Sequence, residues 1–139
     1  MTAIKLHQLD WDASRQTDEE IHFSLVSGFG DQADMDAAYL SAFADGLYVH
    51  VADFTGGDLD HLWTATNNGV LSDSWSLIPP DGVVPTEPSG VLGEDGETYG
   101  RRSTSVGDIA EVDGRLHVVA PIGWRDLGPV PVQAAGPKS

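Results

Sequence analysis

The chain has 139 residues, with 22 acidic against 7 basic side chains, a formal net charge of -15 and no cysteine. A chain of this length can bury a real core as one domain. The missing thiols exclude disulfides and every cysteine-containing zinc site. No apolar run approaches the roughly 20 residues that span a bilayer. The stretch Met1 to His7 lacks the basic and apolar segments of a secretory leader, so the expected location is the cytoplasm.

The strands and helix are expected in the following order. Ile4 to Leu9 alternates apolar and polar and reads as an opening strand. Asp10 to Glu20 reads as a polar loop or a short helix start. Ile21-His22-Phe23-Ser24-Leu25 alternates again, which predicts a second strand ended by Gly28 and Gly30. Asp34 is a candidate cap for a short helix with Met35, Ala38 and Tyr39 on one face. The simplest account of Tyr39 to Phe54 is a β-hairpin closing at Asp45-Gly46, its second strand starting at Leu47. Asp58 to Asn67 is the best helix: Asp58 is the expected N-cap, Leu59, Leu62, Trp63 and Thr66 form one stripe, and Asn67-Asn68-Gly69 stops it.

Residues 70–100 hold four of the eight prolines and read as a long loop, pinned at its start by Trp75, with Pro85 to Gly96 its candidate mobile part. Ile109 to Val112 and Arg115 to Ala120 flank Asp113-Gly114, a hairpin-turn pair. From Gly128 onward the composition predicts a flexible tail over residues 128–139. The expected organisation is therefore one domain over 1–127. Its expected fold is α+β, a small, mainly antiparallel sheet with one main helix packed on it through Leu59, Leu62 and Trp63.

Charge placement says more than the total. Between Gln16 and Gly100 there are sixteen carboxylates and no Lys or Arg, while from Arg101 onward five basic residues meet four acidic ones. Such a surface repels nucleic acid and anionic lipid and attracts basic proteins. Solubility, a functional acidic face that mimics the DNA phosphate backbone, and an acid-biased source are the three readings of it. Asp31, Asp34, Asp36, Asp58 and Asp60 are the candidate partner contacts, because no basic residue neighbours them in sequence.

Arg102-Ser103-Thr104-Ser105-Val106-Gly107-Asp108-Ile109, followed by the Asp113-Gly114 hairpin and Ile122-Gly123-Trp124, resembles the YodL-like proteins of plasmids, integrative elements and phages. Their block runs as a basic or small residue, then Ser-Leu-Ser-Val-Ser-Asp-Val or Ser-Leu-Ser-Val-Gly-Asp-Val, a hairpin, and Gly-Phe or Gly-Trp. The strand at Ile4 to Leu9, the Ile21-His22-Phe23 segment and the helix Leu59 to Asn67 follow the same order. The resemblance spans residues 4–127, but only 102–124 is specific. Thr104 stands where Leu is commoner, and residues 70–100 form a longer loop than usual, which leaves that loop's role open. The resemblance implies an accessory protein of a mobile element in the host cytoplasm and carries no catalytic residues over. Read from its own chemistry, the block is a turn: Ser103, Thr104 and Ser105 bond to nearby backbone, Gly107 permits unusual φ, and Asp108 braces it.

Other chemistry is thin. His7, His22, His50 and His117 are expected on strands and His61 on the helix, with His50–Asp53 and His61–Asp58 the nearest ligand pairs. Ser103 or Ser105 with His117 and Asp108 would make a nucleophile–base pair, but no Gly-x-Ser-x-Gly elbow is present. Gly56-Gly57 is not a phosphate loop, because no Lys follows. Arg101, Arg102, Arg115 and Arg125 with Tyr99 and Trp124 are candidates for a small basic-aromatic patch; pairing with the protein's own carboxylates is the favoured alternative. Trp11, Trp63, Trp75 and Trp124 are expected in or beside the core.

The expected function is a non-catalytic acidic accessory protein of a phage or plasmid that binds a basic protein, without cofactor, metal or direct nucleic-acid contact. A DNA-mimic inhibitor of a host nucleic-acid-binding or defence factor is its concrete form. The alternatives are a small metal-dependent enzyme or small-molecule binder using strand histidines, and a virion or assembly component.

Overall fold

A computed structural model describes residues 3–28, 30–72, 74–86, 90–92 and 98–131. The elements are β1 (Ile4–Leu9), α1 (Trp11–Thr17), α2 (Glu19–Ser27), α3 (Gln32–Ala44), β2 (Tyr48–Phe54), α4 (Leu59–Ala65), β3 (Val83–Pro85), β4 (Gly90–Leu92), β5 (Thr98–Gly100), β6 (Ile109–Val112), β7 (Arg115–Val119) and β8 (Trp124–Pro129). Six strands hydrogen-bond in the order β3-β2-β1-β6-β7-β8, while β4 and β5 form a separate pair. The ladders of β2 with β3, β4 with β5, β6 with β7 and β7 with β8 are antiparallel, so the class is α+β. The chain divides into two compact units, Met1–Leu6 with His50–Thr104 and His7–Val49 with Ser105–Ser139.

In the first unit, Phe54 of β2 sits opposite Val83 of β3. Val51, Ala52, Phe54, Leu62, Ala65, Trp75 and Val83 are buried. The Trp75 indole Nε1 donates to the Arg102 carbonyl at 2.8 Å, and its backbone amide donates to Asn68 Oδ1 at 2.9 Å. That gives the polar edge of a buried indole its partner. Thr66 and Thr104 meet hydroxyl to hydroxyl at 2.7 Å, and the Thr66 hydroxyl also donates to the Leu62 carbonyl at 2.8 Å.

In the second unit an apolar cluster surrounds one phenol, and Gln8, Ser14, His22 and Asp108 are buried in the same unit. Leu9, Leu25, Met35, Tyr39, Ala42, Ile109, Leu116 and Val118 pack together. The Tyr39 hydroxyl donates to the Leu25 carbonyl at 2.8 Å, and burial pushes its pKa up to about 12. Gly107 adopts φ +94°, and a Cβ there would stand 2.6 Å from the Leu25 carbonyl oxygen, so only glycine fits.

Among the described residues four helices replace the single main helix expected. The alternation over Ile21 to Leu25 is helical, within α2: Asp18 caps it, its side chain accepting the Ile21 amide at 3.1 Å, and Gly28 closes it at φ +74°. The three-residue spacing of His22 and Leu25 then wins, burying those two and turning Ile21 and Phe23 outward. The expected hairpin before Asp45-Gly46 is also overturned, because α3 runs from Gln32 through Ala44. Its alanines, Met35 and Leu40 favour a helix, and the Asp31 cap starts it. Only the second strand, β2, is as expected.

Within 70–100, the strands β3, β4 and β5 replace part of the expected loop. Of its candidate mobile part, residues 87–89 and 93–96 lie outside the described residues, and 132–139 of the expected tail do so too. β8 includes Gly128 and Pro129. Of the four tryptophans only Trp75 is buried; Trp11 and Trp63 are exposed, so α4 packs through Leu62 and Ala65 rather than Trp63.

Candidate functional site

The carboxylates have a local structural logic. All four helices start at an aspartate cap: Asp10, Asp18, Asp31 and Asp58 accept the amides of Ala13, Ile21, Asp34 and His61. Asp12, Glu19, Glu20, Asp34 and Asp60 occupy first turns. A first-turn anion meets the positive end of the helix dipole, and a cap oxygen satisfies an orphan amide. Much of the acidity therefore serves helix starts, and those starts face solvent.

Asp31, Asp34 and Asp36 belong to the second unit; Asp58 and Asp60 belong to the first. Asp31 and Asp34 are exposed, one as the cap of α3 and the other in its first turn. Asp36 corrects an expectation: it is half-buried and paired with Arg125, whose Nε donates to its Oδ1 at 2.9 Å and whose second nitrogen bonds the same oxygen. A cation 89 residues away neutralises it, invisible to a reading of sequence neighbours. Asp58 is held below the usual carboxylate range by the His61 amide first and the His61 ring second. Its Oδ1 lies 2.7 Å from His61 Nδ1 in a reciprocal capping box. Asp60 is exposed, with no lysine or arginine against it among the described residues. The same holds for Glu19, Glu20, Asp45 and Asp81.

The arginines divide between the two units. Arg115 grips Asp126 with contacts of 3.1 to 3.2 Å. The Gly128 amide and that guanidinium hold the Asp126 carboxyl below its ordinary range. Arg125 is committed to Asp36, as the pairing alternative to a basic-aromatic patch requires. Arg101 and Arg102 are half-buried in the first unit, and burial lowers the Arg101 pKa.

The signature turn is a bracing device. Asp108 is fully buried, its Oδ1 accepting the Leu9 amide at 3.0 Å and its Oδ2 the Ser105 amide at 2.8 Å. The Gly107 amide donates to the Val119 carbonyl at 3.0 Å, and the Tyr48 hydroxyl donates to the Gly107 carbonyl. Ser103 Oγ accepts the Asn68 amide at 2.8 Å. Thr104 finds a polar partner in Thr66, where a leucine would have none.

Four histidines have a side-chain partner: His7 with Glu111 at 3.2 Å, His22 with Ser14 at 3.0 Å, His50 with Asp53 at 2.8 Å, and His61 with Asp58. His22 lies on α2 rather than on a strand, and burial lowers its pKa. Among the described residues no group of three His, Asp or Glu side chains could hold a metal ion. An open cleft of about 350 Å³ is lined by Phe54, Asp58, Asp60, His61, Leu71 and Asp81, among others. Thr64, a hydroxyl on its wall, donates to the Asp60 carbonyl at 3.1 Å.

The feature sequence reasoning missed is α2. Read as a strand, it put Ile21, Phe23 and Leu25 on one face; read as a helix, it leaves Phe23 70% and Ile21 50% exposed beside Glu19 and Glu20. The signal available was Asp18-Glu19-Glu20, an acidic helix start just before the alternation. Comparison of the chain with family models, with curated proteins and with solved structures finds no match.

Proposed function

We propose that this chain is a non-catalytic acidic accessory protein that works by binding a basic protein partner. The resemblance of residues 102–124 to YodL-like proteins favours a role in a phage or plasmid. Mimicry of the DNA phosphate backbone, occupying a nucleic-acid-binding or defence factor of the host, is the concrete form of this reading. One observation carries it. Glu19, Glu20, Asp34, Asp60 and Asp81 stand exposed with no lysine or arginine against them among the described residues. Uncompensated surface anions steer and hold cationic partners.

The test is capture from host lysate on the immobilised chain, at low salt and again at high salt. Basic nucleic-acid-binding proteins should be retained at low salt and released as salt screens the field. The combined variant E19Q, E20Q, D34N and D60N should lose that retention; it spares the caps Asp18, Asp31 and Asp58, so the helices keep their starts. Absence of retained basic protein, or retention indifferent to both salt and the variant, overturns the reading.

A further inference from the structure

We propose that α2 presents Phe23 as an apolar anchor for a basic, amphipathic segment of the partner, with Glu19 and Glu20 receiving that segment's cations. The inference rests on the acidic-binding reading and adds an apolar contact that charge alone does not require.

The geometry is that of one helix face. α2 buries His22 and Leu25 on its inner side. Phe23 lies two positions before Leu25 and one after His22, on the opposite side, and is 70% exposed. Glu19 and Glu20 precede it by four and three residues, the spacings that place side chains on a shared helical face. No other aromatic side chain of described burial is as exposed as Phe23. Singly exposed apolar residues are ordinary. An exposed aromatic with two carboxylates at helical spacing before it has the makings of an interface anchor with a charge requirement built in, since anchors are enriched in aromatics bordered by polar rims.

Charge complementarity selects the occupant. Arg15 is the one cation of the α1–α2 segment, and it is bonded to Asp12 at 3.3 Å. A second copy of the chain, at net charge -15, is repelled, as are phosphate backbones and anionic lipid. A segment that alternates apolar and cationic side chains satisfies both the ring and the glutamates, and cations also favour the face of an aromatic ring.

The test uses two synthetic peptides of equal charge, a leucine–lysine amphipathic helix and a version with serine at every leucine. Each is titrated into the full chain and read by amide chemical shifts, at about 150 mM salt, where the Debye length is about 8 Å. The leucine–lysine peptide should bind about tenfold tighter than the serine–lysine peptide. Its largest shifts should fall on α2. Phe23→Ala should erase the preference while leaving the melting temperature unchanged, and Phe23→Trp should keep it. E19Q with E20Q should weaken both peptides. Equal binding of the two peptides, a preference that survives Phe23→Ala, or shifts centred elsewhere overturns the anchor and leaves the acidic reading standing. Failure of both peptides to bind overturns both.

Discussion

The two compact units both bury polar groups but hold them differently. The second unit packs eight apolar or aromatic side chains around Leu25 and Tyr39 and buries Gln8, Ser14, His22 and Asp108 as well, the Asp108 carboxylate accepting backbone amides. The first unit sets polar groups inside: Thr66, Ser76 and Thr104 are buried, and the one buried tryptophan is held by Asn68 and by the Arg102 carbonyl. Apolar burial is non-directional and tolerates substitution of similar volume. A buried polar network needs every partner in place. Each unit therefore has exacting positions: Asp108 in the second, and in the first Trp75 with the directly bonded pair Thr66 and Thr104.

Substitutions can break that contrast. The largest effect is expected from Trp75→Ala, which removes both a fully buried ring and the indole bond, at a cost of about 3–5 kcal/mol by denaturant unfolding. Leu25→Ala in the second unit should cost about 2–5 kcal/mol, with Leu25→Met recovering most of it. If Trp75→Phe recovers as much as Leu25→Met, the indole bond is idle and the contrast is wrong.

Next comes Asp108→Ala, which removes the acceptor of the Leu9 and Ser105 amides. Each orphaned buried amide costs about 1–3 kcal/mol, so the second unit should prove to have one exacting polar point of its own. Thermal melts of Asp108→Ala against Asp108→Asn, which keeps one acceptor, would show it.

A double-mutant cycle sharpens the first unit. Thr66→Val should cost about 1 kcal/mol or more, because it strands the buried Thr104 hydroxyl, and Thr104→Val should cost less, because the Thr66 hydroxyl keeps its bond to the Leu62 carbonyl. The double variant should cost less than the sum of the singles, since an apolar pair of the same shape leaves little unsatisfied across it. Strict additivity would mean that the two hydroxyls do not meet.

The smallest effect concerns pH. Burial, with Arg15 adding to it, lowers the His22 pKa below its ordinary value of 6.5 in the folded state. Below that value the unfolded chain takes up the proton first, so stability present above pH 6.5 is lost as pH falls toward the folded pKa. Comparison of His22→Gln with the parent chain over this window isolates the effect. A parent whose stability fell no faster than the variant's would deny the buried neutral imidazole.

The legible parts of the fold share a trait: their determinants are adjacent in sequence. Asp113-Gly114 needs two positive φ angles, found at 51° and 77°, and both reside in the pair itself. The α4 start needs Asp58 and His61, one turn apart. The region 21–25 was illegible because Ile, Phe and Leu at every second position satisfy a strand and part of a helix equally, and the decision fell to which side chains found a core. Of the candidate contacts, Asp34 and Asp60 stand exposed as first-turn anions, Asp31 and Asp58 are exposed caps, and Asp36 is lost to Arg125.

By itself the sequence determined the acidity, the Asp58 cap, the Asp113-Gly114 turn with its β6–β7 hairpin and the α+β class, all properties of composition or of residues within one turn of each other. Only the tertiary structure decided that residues 21–25 wind into a helix, that Asp36 is neutralised, that Thr104 meets Thr66 and that Phe23 faces solvent. Each of those depends on a partner far along the chain or on the side of a helix left uncovered. Long-range pairing is set by packing, which local pattern does not encode.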